Sequence, residues 1–260
     1  MPIITLTTDF GVGSPYVAVM KGVILGLNPG ATIVDIAHGV PPQDVRQGAI
    51  VLAETTPWFP PGTLHVAVVD PGVGSERRIL YAELGEQRYI APDNGLLSRL
   101  ALARPIVRMV SLEAPEHWLP QVSATFHGRD VMAPAAARLS LGLDPDQLGP
   151  RTDHYVELTW PEVVILPRRL EGSVQSIDSF GNLISDITEK MLADVPRDES
   201  VRVACDEHET LGIFRTYSDQ PPATLVAVIG SSGQLELAIV GDSAAAMLGI
   251  PVGAPVVVSW

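Results

Sequence analysis

The sequence predicts an α/β protein: an N-terminal α/β domain with a largely parallel central sheet, followed by a smaller β-rich domain. Three observations carry this. β-Branched runs at Ile3–Thr8, Thr32–Ile36 and Leu64–Val69 alternate with helix-period segments. The last of these runs is almost unbroken apolar sequence, as in a strand covered on both faces. After about residue 150, helical periodicity gives way to short strands and frequent turns.

Each element follows from its residues. Asp9-Phe10-Gly11-Val12-Gly13-Ser14-Pro15 is a turn after the first strand. Tyr16, Met20, Val23, Ile24 and Leu27 then fall at helical spacing, and Asn28-Pro29-Gly30 stops that helix. Asp44 reads as the N-cap of a helix from Val45 to about Glu54. Ile79–Leu84 and Gln87–Ile90, joined through Gly85-Glu86, form a hairpin signature. A helix from Leu96 to about Leu102, a strand near Ile106 to Leu112 and a helix from Asp130 to Leu141 complete a domain of residues 1–160. Pro161 and Pro167 mark the linker, and 168–260 is the smaller domain, with little helix before Ala244–Leu248.

Composition narrows the function. Of the 260 residues, 46% are hydrophobic and 18% charged, enough for a sizeable core and contrary to disorder. No apolar stretch approaches the roughly 20 residues of a membrane span, and the first residues lack the basic and apolar regions of a secretory signal. The net charge of −13 and the absence of basic clusters larger than Arg77-Arg78 or Arg168-Arg169 argue against nucleic acid as partner. Cys205 is the single cysteine, so no intrachain disulfide forms, which fits a cytoplasmic protein. Asp206 and Glu207 beside it raise the thiol pKa and argue against a nucleophilic role.

Polar segments at strand ends are where open α/β sheets bind ligands. Asp9 directly follows the first strand and suits a ribose diol; it also suits a turn or cap. Asp70 ends a buried strand and leads into Pro71-Gly72-Val73-Gly74-Ser75-Glu76-Arg77-Arg78, whose glycines let backbone approach a ligand. Neither the dinucleotide fingerprint nor a phosphate-binding Gly-Lys-Ser/Thr loop is present. Pro92-Asp93-Asn94-Gly95 reads better as turn and capping chemistry than as a site. Phe126-His127-Gly128-Arg129-Asp130 places a proton carrier or polar anchor before a helix. No His pair or Cys cluster supports a metal, and no cofactor is implied. In the smaller domain, Asp178-Ser179-Phe180-Gly181-Asn182 can read an amine or an adenine edge, and Ser231 to Glu236 forms another polar turn.

Taken in order, TTDFG, MKG, DPGVGSERR, APDNG, TFHGRD, DSFGN and GSSGQLELA resemble the S-adenosylmethionine hydroxide adenosyltransferases, the adenosine-forming hydrolases related to fluorinating and chlorinating enzymes. The resemblance runs from residue 3 to 257. It implies a C-terminal β-barrel-like domain and a homotrimer, with sites between the N-domain of one subunit and the C-domain of the next. The family's catalytic set falls on Asp70, Arg77 and His127. Asp9 matches the ribose-diol carboxylate. Asp178 and Asn182 match contacts to the methionine amine and adenine, with Phe180 near the purine. Phe126, Ser231 and Glu236 join them on the substrate-binding side.

The implied reaction is hydrolysis of S-adenosyl-L-methionine to adenosine and L-methionine. The sulfonium leaves as a neutral thioether and needs no acid, so the missing ingredient is a nucleophile, and a base acting on water is commonly worth about 10²–10⁴ in rate. Two other readings compete. A chloride-using halogenase is one; in those relatives tyrosines stand at the positions of Asp70 and His127, and a serine stands where this chain has Gly128. A non-catalytic sensor of adenosine or S-adenosylmethionine is the other, and it has no need of the full Asp70, Arg77 and His127 set.

Overall fold

The structure, a computed structural model, describes residues 3–260. It divides into two compact units, 1–158 and 159–260. The first contains β1 (Ile3–Thr8), α1 (Pro15–Leu27), β2 (Thr32–Ala37), α2 (Val45–Thr55), β3 (Leu64–Val68), β4 (Ile79–Leu84), β5 (Gln87–Pro92), α3 (Ser98–Ala103), β6 (Ile106–Ser111) and α4 (Ala133–Ser140). Its sheet runs in the order β2-β1-β3-β5-β4-β6. The first four strands in that order are parallel, and β4 is inserted antiparallel between β5 and β6.

Side chains alternate between the two faces, as a pleated strand requires. Ile4, Leu6, Val66 and Val68 pack with Met20 and Ile24 of α1 and with the alanines of α4. Ala67 and Val69 point the other way, toward Leu52 of α2 and Leu100 of α3. Burial on both faces explains the almost continuous apolar run of β3. β1 and β3 align Thr8 with Val68, so Asp9 and Asp70 leave the same edge of the sheet from neighbouring strands.

Two helices differ from expectation. In α1 the buried stripe is Val17, Met20 and Ile24, whereas Tyr16 and Leu27 are 53% and 37% exposed. Tyr16 instead turns toward the rings of Phe10 and Phe126, which stand edge-on to it at 5.7 and 5.3 Å. The helix expected over Asp130–Leu141 begins as a wide π-turn over Gly128–Met132 and becomes α-helical only at Ala133. Pro134 has no N–H to return to the Asp130 carbonyl, which accepts from Leu119 N at 2.8 Å instead.

The second unit contains β7 (Val164–Leu166), β8 (Arg169–Ile177), β9 (Leu183–Thr188), β10 (Arg202–Cys205), β11 (His208–Leu211), β12 (Leu225–Ile229), β13 (Gln234–Ile239), α5 (Ala244–Leu248) and β14 (Pro255–Ser259). The order β11-β10-β14-β8-β9-β13-β12 is antiparallel throughout, with β7 paired to β8. Phe214, just beyond β11, bridges to Val228 of β12 and nearly closes the sheet into a barrel. Leu170, Val174, Leu183, Val203, Leu235, Leu237, Val256 and Val258 fill it. Pro167 lies in the β7–β8 hairpin turn rather than in a linker. Cys205 is buried in this core, and burial first, then the Asp206 carboxylate, push its thiol up to about 11.

Candidate active site

The turn after β3 is folded by its own small residues. Val73 N bonds Asp70 O, Ser75 N and Oγ both reach Gly72 O, and Arg77 N reaches Ser75 Oγ. Gly74 lies at φ +79°, and a Cβ there would come within 2.3 Å of Ala124 O, so only glycine lets this turn lie against the 123–126 segment. The fold-back returns Arg77 to Asp70. Arg77 Nε donates to both Asp70 oxygens at 2.9 Å, Nη2 donates to Oδ2, and Nη2 also lies 2.9 Å from His127 Nδ1. The Asp70 and Arg77 side chains are only 5% and 10% exposed.

A guanidinium can only donate, so His127 Nδ1 accepts and the ring proton sits on Nε2. Burial, and then the positive charge of Arg77, lower the His127 pKa, opposed by Asp70 and Asp130. His127 is therefore a neutral imidazole offering an N–H, with no free lone pair. His127 stands at the mouth of the π-turn, and Gly128 behind it is tightly held: a Cβ there would meet Met20 Sδ and Val68 Cγ1 at 3.3 Å.

Asp9 Oδ2 accepts from Gln43 N at 2.8 Å, leaving Oδ1 without a protein donor among the described residues' hydrogen bonds. Phe126 forms an edge-on cluster with Phe10 and Tyr16, and the Arg129 guanidinium lies 5.1 Å over its face. The Pro92-Asp93-Asn94 segment is structural. Asp93 ties Arg78 to Val156 N, and Asn94 Nδ2 donates to Val69 O.

In the second unit, Asp178, Phe180, Asn182, Ser231 and Glu236 line one cavity of about 820 Å³, a size that suits a small-molecule ligand. Asp178 closes the β8–β9 turn by accepting from Phe180 N, Asn182 N and Asn182 Nδ2. That is the hairpin-turn role, and it also fixes Asn182 at the cavity wall. Phe180 is 77% exposed. Glu236 is buried on β13 and accepts from Tyr217 Oη at 2.7 Å; burial raises its pKa, against the Tyr217 hydrogen bond. Arg215 and Tyr217 line the same cavity and were not singled out by the sequence, because no local pattern ties them to β13, which lies 17 or more residues away.

An open α/β sheet with carboxylates, a guanidinium and an imidazole gathered at its strand ends has the arrangement of a ligand site in the α/β class. The chain belongs to the SAM hydroxide adenosyltransferase family, whose N-terminal domain matches residues 4–149 and whose C-terminal domain matches residues 172–257. It is 41% identical over 257 residues to the (R)-S-adenosyl-L-methionine hydrolase of Thermus thermophilus, covering 96% of each chain. It is 40% identical to the enzyme of that name from Salinispora arenicola, covering 97% of this chain and 95% of the relative. A fluorinase of Nocardia brasiliensis is more distant, at 32% over 214 residues, covering 72% of this chain and 71% of the relative. A conserved protein of Thermotoga maritima superposes with a TM-score of 0.94 at 34% identity over 99% of this chain and 100% of that one.

Proposed function

We propose that this protein hydrolyses S-adenosyl-L-methionine to adenosine and L-methionine by in-line attack of water on ribose C5′. The observation that carries this reading is the hydrogen-bonded Asp70, Arg77 and His127 set at the end of β3. Full-length relatives named (R)-S-adenosyl-L-methionine hydrolase support the substrate class and point to the (R) sulfonium epimer.

The water oxygen bonds to C5′ as the C5′–S bond breaks, and the electron pair goes to sulfur, which leaves as the neutral thioether of methionine. One water proton must depart. His127 carries its proton on Nε2 and has no lone pair to receive it, so Asp70 takes it and passes it to solvent, while the imidazole N–H holds the water oxygen. Arg77 fixes the carboxylate and stabilises its charge. Holding water and C5′ in line supplies much of the remaining acceleration.

On this reading Asp9 holds the ribose diol beside Phe126. Asp178, Phe180, Asn182, Ser231 and Glu236 hold the methionine amine and adenine. The two units, 1–158 and 159–260, act as the domains of a cytoplasmic homotrimer with its sites at subunit interfaces. A chloride-dependent halogenase is disfavoured by Asp70, whose negative charge repels a halide where it helps a water. A sensor would not need the Asp70, Arg77 and His127 set. The test is incubation of purified protein with each sulfonium epimer, with and without chloride, and separation of the products. Adenosine and methionine in equal amounts, independent of chloride, are expected. Halogenated nucleoside, or bound but unchanged substrate, would replace this reading.

A further inference from the structure

A second polar network lies in the first unit, beside Asp9 and apart from the Asp70 set. Lys21 of α1 donates to Asp35 Oδ2 at 2.6 Å, Asp35 Oδ1 lies 3.1 Å from His38 Nε2, and His38 Nδ1 lies 2.9 Å from Thr8 Oγ1. Thr8 Oγ1 in turn accepts from Phe10 N at 3.3 Å. With the ring proton on Nε2, toward the Asp35 carboxylate, Nδ1 accepts from the Thr8 hydroxyl. Burial works upward on the Asp35 carboxyl, but hydrogen bonds from Lys21 and His38 outweigh it and hold it ionised below its ordinary range.

Hydroxyl, imidazole and carboxylate in series is also the connectivity of a nucleophile triad. Thr8 is fully buried and its oxygen already serves Phe10 N, so it is closed to a substrate. The network sits instead where two loops must meet. Its β1 end governs Asp9, the next residue. Its β2 end is continuous with the 38–43 loop, in which His38 O accepts from Gly11 N at 2.8 Å and Gln43 N donates to Asp9 Oδ2. Gln43 makes that bond from a left-handed backbone, φ +66°, which a non-glycine residue holds only when its surroundings fix it.

The geometry points to His38 as a positioning residue: with Asp35 and Lys21 it clamps the loops on either side of Asp9, so that one Asp9 oxygen stays on Gln43 N and the other stays free for a vicinal diol. This rests on the assignment of Asp9 to the ribose. It gives Lys21, the centre of the MKG motif, a task at the site without contact to substrate.

The test compares the affinities of adenosine and 2′-deoxyadenosine by calorimetry, a readout that does not need turnover. The parent protein is expected to favour adenosine by at least about tenfold, the discrimination that a site built around a substrate hydroxyl supports. In His38→Ala that preference falls severalfold or more, with adenosine weakened and 2′-deoxyadenosine little changed. His38→Gln, whose amide can both accept from Thr8 and donate to Asp35, restores it. Asp35→Asn shifts it in the same direction as His38→Ala, and serves if that variant fails to fold. An unchanged adenosine preference in His38→Ala or Asp35→Asn overturns the role of His38. Loss of both nucleosides alike in a folded His38→Ala overturns it too, since that is general loosening. A parent protein with no preference for the diol overturns the Asp9 assignment itself, and absence of adenosine release from S-adenosylmethionine bears only on the hydrolase reading.

Discussion

Arg77 and Asp70 are seven residues apart in the chain, yet the Arg77 Nε lies 2.9 Å from both Asp70 oxygens, and the same guanidinium reaches His127. A donor-only group placed between a carboxylate and an imidazole decides the chemistry of both. It gives the carboxylate its hydrogen-bond donors and leaves the imidazole accepting at Nδ1, with its proton on Nε2.

Asp70→Ala is expected to lose more than about tenfold in turnover, within the range that a general base supplies, while still binding adenosine. Steady-state kinetics with a binding isotherm checks both. Full activity in that variant would remove Asp70 from the mechanism.

His127→Gln keeps an acceptor for Arg77 and a donor for water, so it should retain at least about a tenth of parent turnover. His127→Phe keeps neither and should lose substantially more, since removing one donor to the reacting group typically costs about 10²–10³. If the two variants fall equally far, His127 has a role in taking the proton that its hydrogen bonding here does not suggest.

Gly230 faces Glu236 so closely that a Cβ would lie 1.6 Å from Oε1. Gly230→Ala must displace that carboxylate from Tyr217. The expected result is weaker nucleoside binding and a stability loss of about 1–3 kcal/mol, the usual range for a buried polar group left unpaired. Calorimetry and thermal melting check it, and an unaltered protein would show that the cavity wall yields freely.

His65 interrupts the apolar run of β3, fully buried, with Nδ1 2.7 Å from Thr5 Oγ1 and its ring against Phe59 and Tyr89. Burial lowers its pKa from 6.5 to about 4. The unfolded chain therefore takes up this proton first as pH falls, so the stability that neutral His65 allows is complete above pH 6.5 and declines toward pH 4. About 1.4 kcal/mol per unit puts that decline near 3 kcal/mol. Urea midpoints at several pH values should show it, and His65→Gln should flatten the slope; an equal slope in both would place the acid sensitivity elsewhere.

The sequence made the scaffold readable where periodicity is strong. Strands β1 and β3, the helices begun at Ser14 and Asp44, and the β4–β5 hairpin all follow from local patterns. Asp9, Asp70 and His127 were visible because polar residues follow strand ends or precede a helix. The Lys21, Asp35, His38 and Thr8 chain was not visible, because Lys21 and Thr8 are 14 and 30 residues from their partners and a lone histidine carries no local signal. Tyr217 was hidden for the same reason: only barrel closure brings it to Glu236. The π-turn before α4 depended on Pro134 and on a rival donor, Leu119 N, that no periodicity reveals.

The most direct test of the central claim is to run the reaction in heavy-oxygen water, with chloride present, and locate the label. If water activated at Asp70 attacks ribose C5′, adenosine carries the heavy oxygen at its 5′ position and methionine carries none. A chlorinated nucleoside, or adenosine without the label, would contradict it.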